Sequence, residues 1–354
     1  MIRKILSFYR RFLYIVFRRK RKGLITNLTR CEIVGDIEDF KKDCVHPCVR
    51  YTSTSFLGYH WWMVYTPYHN ANAMQENPIL CYGEGKDVPP IRWHVYKEIV
   101  SQPPYGYNSD PNLLFRDGKL FVFWRENETP RVKLYGLIRA TFCVTLSEDG
   151  LFSYEHPVLK EASKYEDHEV SPTFLTYMDK DLALSNHVLF KLSWVDNLHP
   201  FFKFFFDKFF LVTDLLGLFA QQKSYGIAIW RGDGLQNSYT YEKTISPEKC
   251  NYLYRLWHSD AFEYKGRLYM ILQSNQCNAD ICLAMWNNDM TKLRLYPLPL
   301  ITSYSIKKVG IYKPTALVYN DTLYIYISAQ DVGNRASNLL YQCRIPFIDI
   351  ANTI

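Results

Sequence analysis

The stretch that decides the fold is residues 110–126, DPNLLFRDGKLFVFWRE. It opens on a polar residue and a proline, Asp110-Pro111. A short apolar strand follows, Asn112-Leu113-Leu114-Phe115. Asp117-Gly118 marks a tight turn, and KLFVFWRE is an aromatic-rich return strand. Alternation on both sides of an Asp-Gly turn reads as a β-hairpin.

The same phrase recurs along the chain. His46-Pro47-Cys48-Val49-Arg50-Tyr51 precedes GYHWWMVYTPY, and Ser171-Pro172-Thr173-Phe174-Leu175 precedes DLALSNHVLFKLSW. His258-Ser259-Asp260-Ala261-Phe262 precedes Lys265-Gly266 and RLYMILQS. Lys313-Pro314-Thr315-Ala316-Leu317 precedes Asn320-Asp321 and TLYIYISA. From Pro47 the steps to Pro111, Pro172, Asp260 and Pro314 are 64, 61, 88 and 54 residues. A second strand pair follows most hairpins, around Ser147-Glu148-Asp149-Gly150, Arg231-Gly232-Asp233-Gly234 and Asn287-Asn288-Asp289. Five units of about four strands predict an all-β, five-bladed β-propeller over residues 31–354. A pair of β-sandwiches is the alternative.

The chain has 354 residues and a formal net charge of +7, which raises the question of a nucleic-acid partner. Residues 1–22 hold nine Lys and Arg and no acid, so the remaining residues sum to +7 − 9 = −2. A basic face over the whole protein is excluded, and no nucleic-acid partner is expected. Residues 1–30 read as a basic amphipathic segment. Its longest apolar run, Phe12–Phe17, is too short for a secretory core or a membrane span. A helix of this composition suits the headgroup layer of an anionic membrane. The 88-residue step contains an apolar helical insertion, residues 198–221, with eight of the 22 Phe. It fits either packing on the propeller or dipping into a bilayer. Nine Cys form no CxxC pair and no metal spacing. They read as reduced thiols in a cytosolic protein, with no metal and no cofactor expected.

In a propeller the innermost strands line one channel, so residues at the repeat starts become neighbours. These are His46, Asp110, Glu169 with Ser171, His258 with Asp260, and Lys313. Clustered carboxylates repel one another and raise each other's pKa, so such a set marks a candidate site. Two carboxylates that flank a glycosidic bond divide the work: one gives a proton to the leaving oxygen, the other activates water or attacks the sugar carbon. Asp110, Glu169 and Asp260 are the catalytic candidates. His46, Tyr68, Glu76, Asn77, Tyr107, Arg125, Glu126, Trp257, His258 and Lys313 are the binding candidates. Tyr65 and Trp124 join Tyr68, Tyr107 and Trp257 as rings for stacking on sugars.

The ordered phrases HPCV, GYHWWMVYTPY, ENPIL, YNSDPNLLF with LFVFWRE, VSPTF, WHSDAFEYKGRLYM and YKPTAL resemble the five-bladed β-propeller glycosidase-like proteins, which are related to glycoside hydrolase family 43. The resemblance spans residues 44–345. It implies an axial glycan pocket and an acid/base carboxylate mechanism, with an Asp base on the first blade and a further Asp and a Glu acid on later blades. Here the first blade begins with His46-Pro47 in place of that Asp. The expectation is a carbohydrate-active enzyme of bacterial type. It would hydrolyse or transfer glycosyl units of a surface polysaccharide or lipid-linked glycan, and sit on the cytoplasmic face of the cell membrane. A non-catalytic glycan-binding or assembly propeller is the alternative. A nucleotide-sugar transferase finds no Gly-rich phosphate loop in its support.

Overall fold

The computed structural model describes residues 22–36, 43–69, 72–161, 166–190, 222–248, 256–274, 280–331 and 334–351. Residues 1–21 and 191–221 lie outside these, so the expected amphipathic helix and the apolar helical insertion fall outside the described residues.

Among the described residues, twenty-three strands form five sheets. The first strand, β1 (Thr29–Arg30), belongs to the last blade. Blade 1 comprises β2 (Glu32–Val34), β3 (Cys44–Phe56), β4 (Tyr59–Pro67), β5 (Ile79–Gly83) and β6 (Arg92–Glu98), with β3 innermost and β2 parallel to β6. Blade 2 comprises β7 (Tyr107–Arg116), β8 (Lys119–Asn127), β9 (Arg139–Ser147), β10 (Gly150–Ser153) and β11 (Leu159–Glu161). A short helix, α1 (Pro130–Leu134), joins β8 to β9.

Blade 3 comprises β12 (Glu166–Tyr177), β13 (Lys180–Phe190), β14 (Gln222–Gly232) and β15 (Thr240–Ile245). Blade 4 comprises β16 (Leu256–Tyr264), β17 (Arg267–Ser274), β18 (Asp280–Trp286), β19 (Leu293–Leu295) and β20 (Ile301–Thr302). After α2 (Ser303–Ile306), blade 5 comprises β21 (Lys308–Tyr319), β22 (Thr322–Asp331) and β23 (Asn334–Pro346). The N-terminal β1 pairs with β23 and completes that blade, so the two ends of the chain close the ring.

All five inner hairpins turn in two residues, and both turn residues have positive φ. They are Leu57-Gly58, Asp117-Gly118, Met178-Asp179, Lys265-Gly266 and Asn320-Asp321. This is the I′ pattern, whose twist matches that of the flanking strands. Met178-Asp179 and Asn320-Asp321 do it without glycine.

The core lies between blades. One buried cluster fills each of the five seams. At the seam of blades 2 and 3, Phe123 stacks on Phe174 at 3.8 Å. Tyr65 and Trp124, expected as sugar-stacking rings, belong to this buried core at 0% and 1% exposure. Both lie on inward-packing strand positions, so they serve the seams and not the channel. The seven described cysteines are buried free thiols. No helix among the described residues is long and apolar enough to cross a membrane.

Candidate functional site

Each inner strand breaks its ladder register near its start. The breaks skip His46-Pro47, Asp110-Pro111, Ser171-Pro172, Trp257-His258 and Pro314 with Lys313. Proline has no N–H to give to a ladder, so the bulge is where the strand tolerates it. His46, Asp110 and Ser171 each adopt positive φ, near 50°. The repeated polar-Pro phrase is therefore a bulge, and the bulge turns its polar side chain into the channel.

Asp110 sits at the centre of the resulting cluster. Ser171 Oγ donates to its Oδ1 at 3.0 Å. His258 Nδ1 lies 3.6 Å, His46 Nε2 3.8 Å and Lys313 Nζ 3.8 Å from the same oxygen, and Arg125 Nη1 lies 3.7 Å from Oδ2. Burial works against the charge, but His46, Lys313, His258 and Arg125 outweigh it. The Asp110 carboxyl is held well below the usual range. His258 moves down for the opposite reason: burial keeps its ring neutral. Lys313, 2% exposed, also donates to the Pro111 carbonyl at 3.2 Å.

Glu169 is fully buried and accepts from Thr141 Oγ1 at 3.0 Å. Burial pushes its carboxyl up to about 7, and nearby Arg125, Thr141 and Arg139 offset only part of that rise. Glu76 is likewise raised by burial, against the pull of His46, whose Nδ1 lies 3.0 Å from its Oε2. The Tyr68 and Tyr107 phenols are both raised by burial, with Glu76 adding to each. Trp257 packs on Val170 and Val188, with Tyr312 beside it.

Three expected residues stand apart from this cluster. Asp260 is gripped by Arg50, with Nη2–Oδ1 at 2.7 Å and Nη1–Oδ2 at 3.0 Å. It also accepts from Thr315 Oγ1 at 2.6 Å and from the Ala316 and Ala261 amides. The register break in blade 4 takes up Trp257 and His258, so His258 reaches Asp110 and Asp260 falls beyond the bulge. Asn77 ties the first two blades together through Glu98, the Val100 carbonyl and Asn108. Glu126 accepts from Trp124, Thr129 and Arg131, bracing α1. Alternation along β8 sends Arg125 toward Asp110 and Glu126 the other way.

Tyr312 and Arg50 were missed. The Tyr312 ring lies 5.1 Å from His46 and 4.6 Å from His258. Its place directly before Lys313, at a bulge, is the one signal that points to it. Nothing in the repeat phrase singles out Arg50.

No family model matches the chain, and no curated protein matches it. Solved structures do. One is an N-acetylgalactosamine deacetylase from F. plautii, in complex with blood group B trisaccharide. It is 12% identical, with 91% of this chain and 96% of that chain covered at a TM-score of 0.62. A thermostable family-43 glycoside hydrolase is 10% identical, covering 89% and 92% at 0.55. A family 117 glycoside hydrolase, Zg3597 of the marine bacterium Zobellia galactanivorans, is 10% identical, covering 92% and 91% at 0.55. The fold is the five-bladed propeller of these glycoside hydrolases. At such identities the likeness is one of fold.

Proposed function

We propose that the chain is a carbohydrate-active hydrolase working at the channel mouth, with Glu169 as the proton-carrying carboxyl and Asp110 as its ionised partner. The observation that carries this reading is the divergence of two buried carboxyls beside one guanidinium, that of Arg125. Asp110 is held well below the usual range and Glu169 is raised to about 7. Titratable pairs pushed apart in this way mark acid and base assignments. In the proposed step Glu169 gives its proton to the leaving oxygen as the glycosidic C–O bond breaks. Asp110 orients the water whose oxygen joins the sugar carbon and receives the proton that water releases. Solvent then takes that proton and restores the one on Glu169. Tyr68, Tyr107 and Tyr312 offer rings and hydroxyls to the sugar.

The test is a panel of aryl glycosides, oligosaccharides and N-acetylated sugars, run on wild type, Glu169→Gln and Asp110→Asn. Glu169→Gln is expected to lose on the order of 10²–10⁴ in turnover while keeping glycan binding. Acetate release is followed as well, because one structural neighbour is a deacetylase. Binding without turnover in the wild type would favour the second reading, a non-catalytic glycan-binding propeller. The locking of Asp260 by Arg50 favours that reading, since it withdraws one of the three expected carboxyls.

A lipid-linked or nascent polysaccharide at the cytoplasmic membrane surface is the proposed substrate. The basic composition of residues 1–22 and the phenylalanines of 198–221 support it. So do the positions of the described residues that flank both segments. Strands β13 and β14 bracket residues 191–221, and Leu189 pairs with Glu166 at the start of β12, on the mouth face. Gly23 lies against Ile301 and Thr302, which pair with the mouth-side end of β18. Co-sedimentation with anionic vesicles, with and without residues 1–22, tests the placement. Equal soluble fractions for both would refute it.

A further inference from the structure

The geometry points to a binding site for one divalent transition-metal cation at the channel mouth, formed by His46, Asp110 and His258. One donor atom from each residue lies within 4.8 Å of the other two, and all three residues are buried. They come from blades 1, 2 and 4, so only the closed ring assembles them.

Both imidazoles are oriented from behind. Nδ1 of His46 lies 3.0 Å from the Glu76 carboxylate and 3.2 Å from Thr66 Oγ1. A carboxylate there accepts the Nδ1 proton and leaves a lone pair on Nε2. Nδ1 of His258 meets Ser171 Oγ, whose own proton goes to Asp110. That contact is therefore made with the His258 proton, which leaves a second lone pair on Nε2. Neither Nε2 has a hydrogen-bond partner, although both side chains are over nine-tenths buried. An unmatched buried acceptor is costly; the two rings lie 5.1 Å apart, and each reaches Asp110 through one nitrogen, His46 by Nε2 and His258 by Nδ1. A carboxylate or hydroxyl behind each ring is how metal-binding imidazoles are held.

Two imidazoles and one carboxylate suit Zn²⁺, Mn²⁺, Co²⁺ or Ni²⁺ better than Ca²⁺ or Mg²⁺. Three protein ligands leave positions for water and a substrate oxygen. A carboxylate beside Lys313 and Arg125 is a weak base, and a cation-bound water needs less help to lose its proton. That catalytic role rests on the hydrolase reading above; the site itself does not. The opposing groups are Lys313 and Arg125, each under 4 Å from Asp110. If they alone neutralise Asp110, no cation enters.

The experiment uses the full chain, stripped with chelator and titrated with Zn²⁺ or Mn²⁺ by calorimetry, with metal content measured after dialysis. Uptake of about one equivalent per chain is expected, with a rise in Tm. Glu76→Gln should weaken binding about 10–100-fold through loss of the carboxylate behind His46. His46→Gln and His258→Gln should abolish it. Co²⁺ absorption bands from imidazole ligation, present in wild type and absent from both His variants, report the ligands independently of activity. Far-ultraviolet circular dichroism checks that each variant folds, and Glu76→Gln serves if a His variant does not. No uptake by the stripped wild type overturns the site, as does wild-type affinity in a folded His variant. Uptake without sugar turnover leaves the site standing and refutes the hydrolase reading. Turnover without uptake does the reverse.

Discussion

Two buried aspartates line the same channel and are built in opposite ways. Asp260 accepts two guanidinium hydrogen bonds from Arg50, two from the Thr173 and Thr315 hydroxyls and two from amides. Asp110 accepts one good hydrogen bond, from Ser171, and has four nitrogen neighbours, from His46, His258, Lys313 and Arg125, at 3.6–3.8 Å. Both carboxyls are held below their ordinary range. A lowered carboxyl pKa alone therefore does not separate scaffold from site. Saturation does: the Asp260 oxygens are fully occupied, while His46 and His258 beside Asp110 retain Nε2 atoms without a hydrogen-bond partner.

The largest expected effect breaks the saturated pair. Asp260→Ala leaves the Arg50 guanidinium buried without a counter-ion and should cost about 3–5 kcal/mol in urea unfolding. The double variant Arg50→Met/Asp260→Leu should recover most of that loss. An unchanged urea midpoint for Asp260→Ala would show that the pair is not a brace.

Glu169 tests the region around Asp110. Its folded carboxyl is raised from 4.5 to about 7, so the folded state binds the proton more tightly than the unfolded chain. That contribution is complete below pH 4.5 and is lost as pH rises through about 7. Relative to Glu169→Gln, wild type should lose about 3 kcal/mol between pH 4.5 and 8. Parallel stability curves for the two proteins would place Glu169 outside this account.

Asp110→Asn sharpens the contrast from the other side. The amide still accepts from Ser171, so about 1–2 kcal/mol is the expected loss, less than for Asp260→Ala. Turnover on a substrate found in the panel should nevertheless collapse. A stability loss equal to that of Asp260→Ala would erase the distinction between the two aspartates.

The smallest effect concerns the neighbouring brace. Thr129 caps α1 by accepting from Val132 N–H and donates to Glu126. Thr129→Ala should cost about 1 kcal/mol and leave turnover unaltered. A matching loss of activity would draw Glu126 back into the site.

Five repeats of a polar-Pro strand and a turn were enough to read the ring from sequence, because both devices are local. A two-residue turn constrains its own φ angles, and proline constrains its own place in a ladder. The same logic placed His46, Asp110, Ser171 and Lys313 at one mouth. It failed in blade 4, where no proline marks the bulge and His258 takes the place expected of Asp260. It failed for Asn77, whose partners are Glu98 on β6, the Val100 carbonyl and Asn108 on β7, and for Glu126, whose partners are Trp124 on β8 and Thr129 and Arg131 at α1.

The sequence by itself thus determined the all-β repeat, the blade count and the residues that open each inner strand. Only the tertiary structure decided which carboxyl is braced and which is exposed to chemistry. Arg50 and Asp260 are 210 residues apart, and His46, Asp110 and His258 come from three blades. Hydrogen-bond saturation and electrostatic shifts depend on distances of a few ångströms. Such distances exist only once the ring has closed.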